Sequence, residues 1–254
     1  MGPWQRLTAE LDHWHAEGRV ATLWWRDDDA VAPTPALARL LTVHGRHGVP
    51  LALATIPACV QEALAHGLEQ YPGIAVLQHG YTHEDHSGEG ERAIELGGVR
   101  RRDRVAAELE QGRDRLRALF PARLLPVMVP PWNRIASELF PDLRALGFRA
   151  LSRFAPRERR EVIAGLLQTN CHADLVDWRG GRGFRGEDRT IDQICSHLRA
   201  RREGDADGHE ATGILSHHLV HDEDCWLFLD ALFDLGNHHP GARWLDANEA
   251  CLAR

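Results

Sequence analysis

Apolar and polar positions along the chain switch repeatedly between a helical and a strand period. Trp4, Leu7, Leu11 and Trp14 fall at helical spacing, and the apolar run Val20 to Trp25 behind them has the length of a strand. Thr34-Pro35 offers a capping hydroxyl and a proline suited to a first turn, which predicts a helix stopping near Gly45 to Gly48. The rhythm then predicts a strand at 49–56, a helix over about 60–69, a strand at 74–78, and a long arginine- and glutamate-rich helix within 100–119. A strand at 125–129, a helix at 135–146 and a short strand near 149–152 follow. The pattern weakens beyond: a strand within 166–176, a glycine-arginine loop at 180–186, a helix at 190–202, a strand at 213–216 and a helix at 223–235. No linker or internal repeat interrupts the series, so one domain over 1–254 is expected. Its class is α/β, a parallel sheet with helices outside, as a closed or partly closed barrel or a doubly wound sheet.

In either architecture, catalytic groups gather where strands end at their carboxyl edge. Four such ends carry unusual polar clusters: Asp27, Asp28 and Asp29; His79 and His83; Pro130 to Asn133; and His217, His218 and His221.

Composition narrows the chemistry. The net charge of −7 gives no reason to expect nucleic acid or an anionic membrane as partner. The sequence contains no lysine, which excludes a Schiff-base mechanism and a Walker-type phosphate loop. Charged residues and histidines break up the first twenty positions, and the most apolar stretch, 49–56, is only strand-sized. We therefore expect a cytoplasmic protein with no membrane association. The five cysteines are scattered, without a Cys-x-x-Cys pair, and read as reduced, buried small hydrophobes. Arginines at 100–104, 113, 115 and 117 are interleaved with acids and read as a solvated helix face; the basic loop 179–185 is equally consistent with a surface loop or a cover near Trp178.

Three adjacent carboxylates behind a buried strand raise one another's pKa unless a cation compensates. His79 and His83 could meet one cation from a single turn. Among 16 histidines roughly one such spacing arises by chance, so their place after a strand carries the weight. Two imidazoles and one aspartate with an open fourth position form the catalytic, not the structural, zinc arrangement.

Taken in order, Asp27-Asp28, His79-Gly80-Tyr81-Thr82-His83, Pro130-Pro131-Trp132, Asp174-Leu175-Val176-Asp177-Trp178 and Leu215-Ser216-His217 resemble the five motifs of the NodB-homology polysaccharide deacetylases, carbohydrate esterase family 4. The resemblance spans about residues 20–220. It implies a distorted (β/α) barrel of about seven strands and a divalent metal, zinc by preference, that removes N-acyl or O-acyl groups from a glycan or smaller carbohydrate-like substrate. By the same resemblance Asp28, His79 and His83 hold the metal, Asp27 is the general base, and the Trp132 N–H receives the oxyanion. His217 is then the general acid; period-two alternation lets only one of His217 and His218 face the site. Asp174 or Asp177 orients that histidine or a nearby arginine, and Trp178 and Leu215 line the acyl pocket.

Two departures stand out. Asp29 occupies a position where glycine is common, and Val129 stands where the family has an arginine that contacts its catalytic aspartate. A replacement cation is expected beside Asp27. Arg153 follows a strand and points to the correct edge, whereas Arg26 alternates away from Asp27, so Arg153 is the predicted partner. With no secretion signal recognised, an intracellular amide, ester or glycan precursor is the expected substrate. Two other readings are an amidohydrolase for a small non-sugar compound and a catalytically silent barrel that binds metal and a sugar-like ligand.

Overall fold

The computed structural model describes residues 1–253. In chain order its elements are α1 (Pro3–Ala16), β1 (Ala21–Ala30), α2 (Pro35–His47), β2 (Leu51–Thr55), α3 (Glu62–Leu68), β3 (Ile74–His79), α4 (Arg102–Leu119) and β4 (Leu124–Val129). They continue with α5 (Phe140–Ala145), β5 (Ala150–Leu151), β6 (Glu161–Ile163), β7 (Leu166–Gln168), β8 (Ala173–Asp174), α6 (Glu187–Glu203), β9 (Thr212–Ser216), α7 (Glu223–His238), β10 (Ala242–Trp244) and α8 (Ala247–Leu252). The expected helix at 135–146 is split, a 3-10 turn at Ser137–Leu139 preceding α5. The weak strand within 166–176 is two strands, and β6, β10 and α8 are short elements that the hydrophobic pattern did not reveal.

All ten strands form one sheet in the order β6-β7-β5-β4-β3-β2-β1-β9-β8, with β10 paired to β1. Among the described residues only β6 runs antiparallel to its neighbour. β7 and β8 lie near opposite ends of this order, yet only residues 169–172 separate them, and that segment forms a parallel bridge between Phe154 and Cys171. The sheet therefore curls toward a barrel, as expected.

Alternation sorts the side chains into two layers. Leu23, Trp25, Leu51, Leu53, Val76 and Ile214 pack outward with apolar residues of the helices. Trp24, Ala52, Ala54, Leu77, Val127, Val129 and Leu215 fill the inside, joined by Ala247 and Cys251 of α8. Helix ends follow the local chemistry: the Thr34 hydroxyl accepts from the Leu37 N–H at the start of α2, and Gly48 ends it in a left-handed conformation. On α4, Val105, Leu109 and Leu116 are buried while Arg104 and Arg113 pair with Glu108 and Asp114, the solvated face anticipated from the charges. Four of the five cysteines are buried, all are unpaired, and Cys59 is exposed. No helix among the described residues is long and apolar enough to cross a membrane.

Candidate metal centre and active site

The three aspartates diverge because β1 carries a bulge. Its pairing with β2 runs Asp27 to Leu53 and then Ala30 to Thr55, so Asp28 and Asp29 together oppose Ala54. Ala54 belongs to the inner layer. Asp29 absorbs the extra residue with φ 73°, the left-handed region where aspartate is among the tolerated residues. The bulge thus places both Asp28 and Asp29 on the inner side and leaves Asp27 facing outward.

Asp29, rather than the expected Asp28, meets the two imidazoles. Its Oδ1 lies 3.3 Å from His79 Nε2 and 3.5 Å from His83 Nε2. His79 Nδ1 is 2.9 Å from the Val129 carbonyl, which can only accept, so Nδ1 carries the proton and Nε2 presents a lone pair. Asp29 Oδ1 is buried without a hydrogen-bond partner among the described residues. A lone pair facing an orphaned carboxylate oxygen is a cation-seeking arrangement, and the donor set of two imidazoles and a carboxylate suits a divalent metal of the zinc type.

The electrostatics favour positive charge between these groups. Burial opposes ionisation of Asp29, but the close approach and charge of His79, with the charges of His217 and His83, hold its carboxyl well below the usual range. Burial likewise opposes a charged His79, yet Asp28 and Asp29 raise its pKa, while burial and the His79 charge lower that of His83. The loop between the histidines is built around Gly80. At φ 54°, a Cβ there would collide with Glu95 Oε2 and lie 2.7 Å from the Pro131 ring. The fully buried Glu95 accepts from the N–H groups of Tyr81 and Thr82, fixing the turn that presents His83.

Asp28 makes a two-point ion pair with Arg26, Nε to Oδ1 at 2.8 Å and Nη2 to Oδ2 at 3.0 Å. Arg26 and Asp28 are two positions apart on one strand and so share its inner face. The guanidinium, fully buried, also donates to Ser152 Oγ and Asn133 Oδ1. The cation expected from Arg153 therefore comes from Arg26. Arg153 is half-buried, donates to Gln168 Oε1 and makes no ion pair among the described residues; only its carbonyl approaches Arg26. The carboxylate that needs the cation is Asp28, on the face that Arg26 shares, and not Asp27.

His217 has Nε2 4.0 Å from Asp28 Oδ2 and Nδ1 4.0 Å from Asp174 Oδ1. Asp174, raised above the usual carboxylate range by burial, accepts from Trp178 Nε1 at 2.8 Å, and the Trp178 ring stands edge-on to His217. Leu215 is buried in the inner layer. Asp177 is placed elsewhere: it accepts from the N–H groups of Arg179 and Gly180 and lies 3.5 Å from Arg189. Its backbone also closes the 179–185 loop, whose Phe184 bridges Val176.

Asp27 is fully buried against Ser216 and His218, far from a basic role at the inner face. Trp132, at φ 52°, sits in a tight turn whose hydrogen bonds run from Asn133 N–H to Pro130 O and from Arg134 N–H to Pro131 O. Its ring packs on His83 with centroids 4.5 Å apart.

A second buried group, His172, His197 and Glu210, comes from three separate segments and carries no motif that could be read from the sequence. The rings are stacked, centroids 3.3 Å apart and 10° from parallel. His172 Nδ1 accepts from the Gly213 N–H, which forces the proton onto Nε2, the nitrogen that faces Glu210 at 3.4 Å.

The chain matches no protein-family profile and no curated protein sequence. Its fold, however, is shared with many solved structures. A candidate polysaccharide deacetylase from Mycobacterium smegmatis superposes with a TM-score of 0.63 at 13% identity, covering 91% of this chain and 89% of that one. A peptidoglycan N-acetylglucosamine deacetylase in complex with an N-hydroxybenzamide gives 0.55 at 14%, covering 91% and 88%. A family 4 pseudoenzyme from Bacillus anthracis gives 0.55 at 15%, covering 88% and 63%. The chain thus has the fold of the family 4 carbohydrate esterases, the NodB-type polysaccharide deacetylases, in a form divergent in sequence.

Proposed function

We propose that the protein is a metal-dependent deacylase that removes an acetyl group from a carbohydrate. The observation that carries this reading is the arrangement around Asp28. Its carboxylate is held in a plane by Arg26, adjoins the Asp29, His79 and His83 donors, and faces His217 Nε2 at 4.0 Å. A base and an acid flanking a cation site are what amide hydrolysis requires, and neither is needed for binding alone. The glycan substrate class rests on the shared fold, whose solved examples include a peptidoglycan N-acetylglucosamine deacetylase.

Asp29, His79 and His83 would hold a divalent cation, which supplies Lewis-acid polarisation of an acyl carbonyl and eases loss of a proton from water. Asp28 accepts that proton as water attacks the acyl carbon. Arg26 fixes the carboxylate's orientation and, through Asn133, ties it to the Pro130–Asn133 turn. The Trp132 N–H, the first available after two prolines, donates to the developing oxyanion. His217 delivers a proton to the leaving nitrogen or oxygen, with Asp174 on its Nδ1 side and Trp178 against its ring.

Acetate release from N-acetylglucosamine oligomers and acetylated xylo-oligosaccharides, with zinc supplied, tests the reading. Release that chelation abolishes is expected. A zinc-loaded protein releasing no acetate from either class would overturn the reading and place it beside the pseudoenzyme that shares the fold.

A further inference from the structure

Asp27 takes no part in the chemistry just described, yet it is the most heavily bonded of the three aspartates. Its Oδ2 accepts from Ser216 Oγ at 2.6 Å and from the His218 N–H at 3.0 Å, and its Oδ1 lies 2.5 Å from His218 Nδ1. Trp25 Nε1 anchors Ser216 Oγ in turn at 2.8 Å. Ser216 and His218 flank His217. The last register pair between β1 and β9 is Asp27 with Ser216, so the sheet ladder ends one residue before His217. Beyond that point the chain leaves β9 with His217 at φ −141° and ψ 84°, its N–H directed to His221 Nε2.

We propose that Asp27 is a positioning residue: its carboxylate holds the residues on both sides of His217 where the ladder ends and so fixes the span between His217 and Asp28, the residue next to Asp27. One strand end then carries the base and a metal ligand on its inner face and the clamp for the acid on its outer face. The inference rests on the reading of His217 as general acid. An acid displaced by an ångström from its leaving atom loses about 10²-fold in rate.

Leaving-group dependence separates this role from a general structural one. An amide nitrogen must be protonated to leave, whereas 4-nitrophenolate departs without help. Asp27→Asn should lower kcat for deacetylation of N-acetylglucosamine oligomers by about 10²-fold while changing hydrolysis of 4-nitrophenyl acetate by less than about threefold, the pattern expected of His217→Ala. Metal content should match the wild type. Ser216→Ala, which removes one of the three bonds, should show the same selectivity to a smaller degree and serves if Asp27→Asn does not fold. Equal losses on both substrates, or an unchanged amide rate, in an active wild-type background overturn this inference alone. A zinc-loaded wild type inactive on both substrates overturns the proposed function and this inference with it.

Discussion

His79 and His172 are both buried imidazoles, each paired with a second histidine and one carboxylate, but their Nδ1 atoms face opposite chemistry. His79 Nδ1 meets a carbonyl oxygen and must donate, which frees Nε2 as a lone pair; His172 Nδ1 meets an N–H and must accept, which puts the proton on Nε2. The carboxylates differ in the same sense. Asp29 Oδ1 is orphaned, whereas Glu210 accepts from the backbone N–H groups of Arg157 and Asn170. Ring geometry differs as well: His79 and His83 are tilted 56° with centroids 5.0 Å apart, while His172 and His197 are stacked nearly parallel at 3.3 Å with both Nε2 atoms on Glu210 Oε2, at 3.4 and 3.8 Å. Residue type and proximity are alike in the two clusters. The hydrogen bond on the far side of each ring distinguishes a cation site from a buried polar knot.

The largest effect expected from this contrast lies in the neighbour that only the first cluster has. Asp28→Asn should keep the metal and lose about 10²–10⁴-fold in acetyl release, because an amide cannot accept the proton. Metal lost along with activity would mean that Asp28 belongs among the ligands.

Next in size is the buried Arg26–Asp28 pair. Arg26→Met leaves Asp28 charged and uncompensated in the interior, and denaturant unfolding should show a loss of about 3–5 kcal/mol. A loss below about 1 kcal/mol, the range of an exposed pair, would contradict its description as a buried ion pair.

The smallest effect belongs to the second cluster and appears in stability against pH. Burial, with Arg201 and Arg157, holds His172 well below its ordinary value, and burial with His172 pushes His197 down to about 2. Both rings stay neutral in the folded chain and take up protons on unfolding, so stability present above the unfolded value of about 6.5 is lost as pH falls below it. Each ring should contribute about 2 kcal/mol of loss between about pH 6.5 and 5. Glu210, raised by burial, binds its proton more tightly when folded and works in the opposite direction at the acid end. His197→Gln should flatten the dependence measured by denaturant titration at the two pH values; an unchanged slope would show that the ring is not buried neutral.

Much of this was legible in the sequence because strand and helix periods are plain and the polar clusters sit at strand ends. Alternation lets only one of His217 and His218 face the site, and the Leu215-Ser216-His217 match to the family motif selects His217. Alternation also pairs Arg26 with Asp28, and the assignment slipped by one residue only because three identical aspartates conceal where the bulge falls. Nothing in the sequence marks Asp29 as the residue at φ 73°, since a bulge depends on the pairing of β1 with β2. The second cluster was invisible for a different reason: its members are brought together only by the packing of α6 against β8 and β9. Short elements such as β10 and α8 offer too few residues for a period to show.

The most direct test of the central claim is metal stoichiometry by elemental analysis after zinc loading, across wild type, Asp29→Ala, Asp28→Asn and His172→Gln. About one zinc per chain is expected in the wild type, in Asp28→Asn and in His172→Gln, with loss in Asp29→Ala. Zinc retained by Asp29→Ala, or lost from His172→Gln in a folded chain, would contradict the assignment of the cation to the first cluster.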